Sequence, residues 1–203
     1  MKRVKILSFI LLAAPGLSYG LGTGVSNYPI VPEKKFISAE FTGITSSGGG
    51  VGFQGRYTQK INTQTIFDAG IGMSGGERTS RLFAGVDFEI YPDYQTQPRV
   101  SVKTQLSNSK EFDVRRNTIG FAPTVSKGFS FWGHEAYPFV ALPYNVSLDS
   151  DTKTYQTQAN LNIGITGNLP IEGLKHLTGT LEASVKIKDS YSGVFLGISY
   201  PIN

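Results

Sequence analysis

Two histidines, His134 and His176, are the side chains here best suited to move a proton near neutral pH. His134 is followed by Glu135, and His176 is preceded by Lys175, each in a stretch that reads as a turn. A hydrolase or acyl transferase would need a histidine beside a serine or carboxylate in a fixed arrangement. Neither histidine has a serine at a telling spacing, so both read as exposed turn residues and no catalytic residue is assigned. The chain has no cysteine, which excludes disulfides, thiolate metal ligation and a cysteine nucleophile. Two separated histidines make no metal site. Gly48-Gly49-Gly50 and Gly70-x-Gly72 lack the Lys-Ser/Thr and the helix that turn such glycines into phosphate loops; they suit turns and close backbone approach. The expectation is a protein that is not an enzyme and carries no cofactor and no metal.

A second constellation is more regular. Five acids (Glu40, Asp68, Asp87, Glu89, Glu182) and five bases (Arg56, Arg81, Arg99, Lys103, Lys186) fall on the polar side of alternating apolar/polar runs. Charges enclosed away from water must pair, because an unpaired buried charge is costly. The ten could form a salt-bridge core or line a narrow solute path.

The elements that would position them are strands. Alternation of period two runs through 34–44, 51–58, 67–73, 81–90, 99–106, 117–126, 136–148, 155–165, 177–187 and 196–200, separated by turns rich in Gly, Pro, Asn and Asp. Two of the ten are weakly marked, so eight is the alternative. No segment has a period of 3.6. Ser107 to Arg116 reads as the longest charged loop and as a candidate outside contact. The fold expected is all-β, a closed antiparallel up-and-down barrel, since closure removes exposed edges.

Alternation alone does not say which face meets water. A soluble barrel would turn its apolar faces inward around a ligand; a membrane barrel turns them out to lipid. Charged residues are 17% of the chain, against roughly 25% in soluble domains. The polar faces are rich in Gly, Ser, Thr, Asn and Gln. Tyr57, Tyr91, Tyr94, Trp132, Tyr137, Tyr155 and Tyr200 lie near strand ends, as interfacial girdles do. On the membrane reading Leu161, Ile163 and Ile165 face lipid, while Gln156, Gln158, Asn160 and Asn162 fill the lumen.

The N-terminus carries Lys2, Arg3 and Lys5, an apolar run from Ile6 to Ala14, and small residues Ser18 and Gly20, the three-part pattern of a signal peptide cleaved after Gly20. Residues 1–20 are thus expected to be removed, 21–33 to form an extended periplasmic lead-in, and 34–203 to form the barrel. Cleavage removes three of 19 basic residues and no acid, so the formal charge falls from +4 to +1. With no basic stripe interleaved with aromatics, nucleic acid is not an expected partner.

These features together resemble the small outer-membrane β-barrel proteins of Gram-negative bacteria. The resemblance covers 34–203 by pattern. Its most specific part is the last strand, where Gly197, Tyr200 and Ile202 resemble the Gly-x-x-aromatic-x-hydrophobic signal read by the barrel-assembly machinery; the chain departs from it in Pro201 and a terminal Asn203. The resemblance implies an outer-membrane location and contact with outer-membrane lipid and lipopolysaccharide. It also implies the assembly machinery as a partner, a monomer, and periplasmic termini. Turns near Gly48, Gly75, Lys110, Asp151 and Tyr191 would be extracellular, and those near Asn62, Asp93, Gly128 and Gly173 periplasmic. Both histidines then lie at the end opposite to where such families place surface chemistry. The function expected is a structural or surface-interaction role with a lumen plugged by paired charges. The alternatives are a narrow passive channel and, after it, a lipid-modifying enzyme or a soluble periplasmic ligand-binding barrel.

Overall fold

A computed structural model of the chain describes residues 22–45, 50–74, 78–111, 114–131 and 134–202. The expected signal peptide over 1–20, turn glycines Gly48, Gly49 and Gly75, Trp132 and Asn203 lie outside the described residues.

Twelve strands form one antiparallel sheet: β1 (Lys35–Ile44), β2 (Gly50–Lys60), β3 (Thr65–Ser74), β4 (Arg78–Tyr91), β5 (Arg99–Glu111), β6 (Val114–Ser126), β7 (Phe129–Phe131), β8 (His134–Ala141), β9 (Tyr144–Asp149), β10 (Tyr155–Asn168), β11 (Thr178–Lys188) and β12 (Gly193–Ile202). Neighbours in sequence pair around the ring. The ring is completed by β12 on β1, from Lys35↔Ile202 to Ile44↔Gly193, and by β10 on β11. β8 and β9 occupy one position between β6 and β10, so the barrel has ten staves. β7 pairs only with the start of β8 and stands outside the ring as a small hairpin.

Three departures from the sequence reading have local causes. The stretch 136–148, read as one strand, is broken at Leu142-Pro143, because proline has no N–H to give the ladder. The backbone compensates: Leu142 N donates to Pro123 O and Asn160 N to Pro143 O, with a register shift opposite at Ala159/Asn160. Ser107 to Arg116, read as a loop, is strand over 107–111 and 114–116. β5 and β6 keep pairing through Ser107↔Thr118, Asn108↔Asn117, Ser109↔Arg116 and Lys110↔Arg115 to Glu111↔Val114. The apolar alternation ends at Leu106, yet backbone pairing needs no apolar side chain, so the hairpin continues past the pattern. Tyr137, expected in an interfacial girdle, points into the barrel, where its ring meets Tyr28 edge-on at 5.5 Å.

The barrel is inverted relative to a soluble one. Ile71, Met73, Leu82, Leu106, Ile119 and Ile163 are exposed on the outer wall, while Ser38, Thr58, Ser101, Thr124, Asn162 and Thr180 are buried within. Each strand sends alternate residues to opposite faces, so one pleat produces both surfaces. Along β10 Ile163 and Ile165 are exposed and Leu161 half-buried, while Asn160 and Asn162 are buried in the lumen. Gln156 and Gln158 sit nearer the mouth, and Gln156 is exposed.

Candidate functional site

Among the described residues, buried charge is concentrated in the lumen. Arg56 on β2 stands between two carboxylates from flanking strands, because Glu40 on β1 and Asp68 on β3 lie diagonally across the ladder. Its Nη1 is 2.5 Å from Asp68 Oδ2, and Nη2 donates to Glu40 Oε2 at 3.1 Å. Nε is 2.9 Å from Glu40 Oε1, an ion-pair distance without hydrogen-bond alignment. Lys103 on β5 reaches Asp68 Oδ2 at 2.6 Å across the intervening β4. Gly85 makes that possible: a Cβ there would fall 2.8 Å from Asp68 Oδ1. Gln54 donates to Glu40, and Asn162 Nδ2 to Glu182 Oε1 at 2.5 Å. Glu40, Arg56, Asp68, Lys103 and Glu182 are each at most 4% exposed.

Phe83 extends this cluster in a way the sequence reading missed. It is a large apolar side chain on the inner face of β4, 2% exposed, with the guanidinium carbons of Arg56 and Arg81 each 4.9 Å from its ring centre. Cation–π contact satisfies part of the field of two like charges. Gly70 opposite leaves the space, since a Cβ there would meet Phe83 Cζ at 2.5 Å. The signal was present in the interruption of β4's polar face at Phe83 directly across from Gly70.

A second cluster sits toward the rim where β1 begins and β12 ends. Arg99 pairs with Glu89 at 2.6 Å and Asp87 at 3.2 Å, and donates to Ser101 Oγ at 3.0 Å. Lys186, the tenth candidate, does not join: it is exposed near the far end of β11, and its backbone N–H donates to Ser192 Oγ. Nine of the ten charged residues therefore face the lumen, as five acids and four bases. At the far mouth Arg116 Nη1 donates to Gln156 Oε1 beside a cleft of about 320 Å³. Asp149, the last residue of β9, accepts at Oδ1 from the N–H groups of Thr152 and Asp151 in the turn that follows.

The largest feature absent from the sequence reading is the N-terminal segment. In place of a plain extended lead-in, residues 22–30 run inside the barrel. Gly24–Asn27 form a 3-10 turn, and Thr23, Val25, Ser26 and Asn27 are all buried. Thr23 donates from both N (3.0 Å) and Oγ1 (2.9 Å) to Glu182 Oε2. Arg56 Nη2 donates to Gly22 O, and Lys103 Nζ to Thr23 O, each at 3.2 Å. Below these contacts Val25 and Ile30 pack with Phe36, Ile66 and Tyr28 into an apolar seal. The segment thus has a charged-network end and an apolar end, both inside the barrel. Its composition, small and polar in Thr23-Gly24-Val25-Ser26-Asn27, matches the lumen wall, but no periodicity marks a single turn.

Gly24 is the tightest position. Its φ is +64°, and a Cβ would lie 2.9 Å from Arg56 Cζ. Gly24→Ala combines a left-handed backbone with a clash against a buried ion pair, and is expected to cost about 1–3 kcal/mol. Equilibrium urea unfolding monitored by gel mobility checks this; Gly43→Ala, with nothing within 4 Å of the added Cβ, is the control.

The histidines are apart from this site. His176 meets the Tyr200 ring edge-on at 5.8 Å, and His134 begins β8 beside an outer-wall groove shared with Gly167, Leu169 and Gly179. Among the described residues no group of three His, Asp or Glu side chains could hold a metal ion. In the last strand Gly197 faces the lumen against Glu40 while Tyr200 is exposed outside, and pairing continues through Pro201 to Ile202.

No protein-family model matches the chain, and no curated protein matches it. Among solved structures, a designed protein described under "De novo design of transmembrane beta-barrels" aligns with a TM-score of 0.42 at 12% identity, covering 86% of this chain and 99% of that one.

Proposed function

We propose that the chain is an exported integral outer-membrane barrel, freed of its leader after Gly20, with a structural or surface-interaction role and a lumen closed at rest. The observation that supports this is the inverted wall: exposed Ile, Leu, Val and Phe outside and buried charges and amides within. An apolar outer surface this continuous is unstable in water and suited to lipid, where a closed β-ring satisfies every backbone group internally. The exposed tyrosines Tyr91, Tyr94 and Tyr200 cluster toward one rim, at the depth where an interfacial girdle would lie. The turns at the opposite rim would face outward for contact with lipopolysaccharide or another cell. On this reading the barrel is a monomer folded by the assembly machinery through β12, and neither histidine is catalytic.

A passive channel is the second reading, supported by a specific feature. Asn27, Gln54, Gln105 and Asn145 hold buried polar atoms without a protein partner, and such atoms can line a thin water path once the N-terminal segment moves. Heat-modifiable migration of the detergent-folded protein is the test of the membrane reading. The unheated protein should run faster than the boiled one, and remaining soluble and folded without detergent is the opposite result.

A further inference from the structure

The far mouth carries a polar cleft apart from the buried ion pairs. It measures about 320 Å³ and is lined by Arg116, Ser147, Asp149, Thr154, Tyr155 and Gln156. That is the small end of the range for small-molecule sites, about 300–1,000 Å³. Strand register builds it. Asp149 on β9 stands opposite Arg116 on β6, and Ser147 on β9 stands opposite Gln156 on β10. All four have the inward parity of their strands, so they share the inner wall of the mouth. The turn after β9 is tied down on two sides. Asp149 Oδ1 accepts from the N–H groups of Asp151 (3.0 Å) and Thr152 (2.9 Å). Ser150 N donates to Arg115 O and Asp149 N to Thr154 O, each at 3.0 Å. The cleft is therefore pre-formed, and a ligand would not have to order it.

The groups in the cleft still have hydrogen bonds to make. Arg116 Nη1 donates to Gln156 Oε1 at 3.1 Å, but its Nε is buried without a hydrogen-bond partner among the described residues, and a buried donor left unpaired is costly. With its oxygen engaged, Gln156 offers its amide N–H groups. Ser147 Oγ accepts from Thr118 Oγ1 at 3.1 Å and keeps its own proton to donate. This donor set selects among ligands. An anion drawn to Arg116 would meet the Asp149 carboxylate, and a cation drawn to Asp149 would meet the guanidinium; like charges brought together work against binding. A hydroxyl both donates and accepts, so a neutral polyhydroxylated ligand can use guanidinium, amide and carboxylate at once. Tyr155, 74% exposed, adds an amphipathic ring to the lining. We propose that this cleft is a binding site for a neutral sugar, free or at the end of a glycan. The proposal deepens the surface-interaction role given above and rests on that reading for placing this mouth outside the cell.

The test uses the protein folded in lauryldimethylamine oxide, a detergent without a sugar headgroup. Heat-modifiable migration first shows that the protein and each variant are folded barrels; its loss in the unaltered protein overturns the membrane reading and this proposal with it. Saturation-transfer NMR titrations then use the methyl glycosides of glucose, galactose, mannose and N-acetylglucosamine for free sugars, and the corresponding trisaccharides for glycan ends. At least one sugar should bind, with a dissociation constant on the order of a millimolar. A trisaccharide that binds tighter than its methyl glycoside points to a glycan end, and equal binding to a free sugar. Inorganic phosphate should not displace the sugar. Arg116→Met should weaken binding roughly tenfold or more, as loss of a hydrogen bond to a charged group does. Gln156→Leu, at an exposed position, should weaken it several-fold. Arg115→Met, on the outward parity of the same strand, should leave it unchanged. Binding by none of these sugars, displacement by phosphate, or binding that survives both cleft substitutions overturns the proposal while leaving the barrel reading intact.

Discussion

Replacing Arg56 with methionine should destabilise the folded barrel by about 3–5 kcal/mol, because it strands buried carboxylates in place of one satisfied network. Glu40 would keep only Gln54, Asp68 would depend on Lys103 alone, and Gly22 O would lose its donor. Phe83 would also lose one of its two flanking guanidinium groups. Equilibrium urea unfolding in lipid vesicles measures the change. The double variant Arg56→Met/Glu40→Gln should recover part of the loss, since it removes one of the stranded charges. Arg99→Met should cost less, because Glu89 keeps 13% side-chain exposure near the rim and water can take over its solvation. A loss below about 1 kcal/mol for Arg56→Met would indicate a hydrated pair of the surface kind, and a lumen open to water.

Deleting residues 22–30 should convert a closed barrel into a conducting one. The deletion removes Val25 and Ile30 from the seal with Phe36 and Ile66, and takes away the backbone carbonyls that Arg56 and Lys103 hold. An eight-stranded barrel is just filled by its own side chains, and ten staves leave more room. Planar-bilayer recording should show discrete current steps for the deletion and none for the intact mature chain. The strands themselves should still form, because β1 begins at Lys35 and its pairing with β2 and β12 does not depend on the segment. Identical silence from both proteins would mean that Phe83 and the ion pairs close the lumen unaided.

The architecture was readable because a barrel wall writes its period into the side chains. All ten staves coincide with runs of alternation, and the charged residues on their polar faces, except Lys186, do turn inward. What escaped detection lacks a period or depends on distant contacts. The β5–β6 hairpin outruns its apolar alternation at Leu106, so Ser107 to Arg116 resembled a loop. Pro143 broke a stave through its missing donor, visible in sequence but not obligatory. Lys186 shares the parity of Glu182 and Ser184 yet lies past the point where the lumen gives way to the rim. The docking of Thr23 on Glu182, 159 residues apart, has no local trace beyond a small polar composition. The glycines gained meaning only in three dimensions: Gly70 and Gly85 are the vacancies that let Phe83 and Asp68 reach inward.

The inverted wall is tested most directly by spin labels at Ile163 and Asn162, neighbours on β10 with opposite faces. The absence of native cysteine makes Ile163→Cys and Asn162→Cys clean single sites. In vesicles, power saturation should show the label at 163 relaxed by oxygen and shielded from a water-soluble nickel chelate, as in hydrocarbon, and the label at 162 screened from both. A label at 163 relaxed by the nickel chelate, in a protein that stays dispersed without lipid, would contradict the membrane-facing wall.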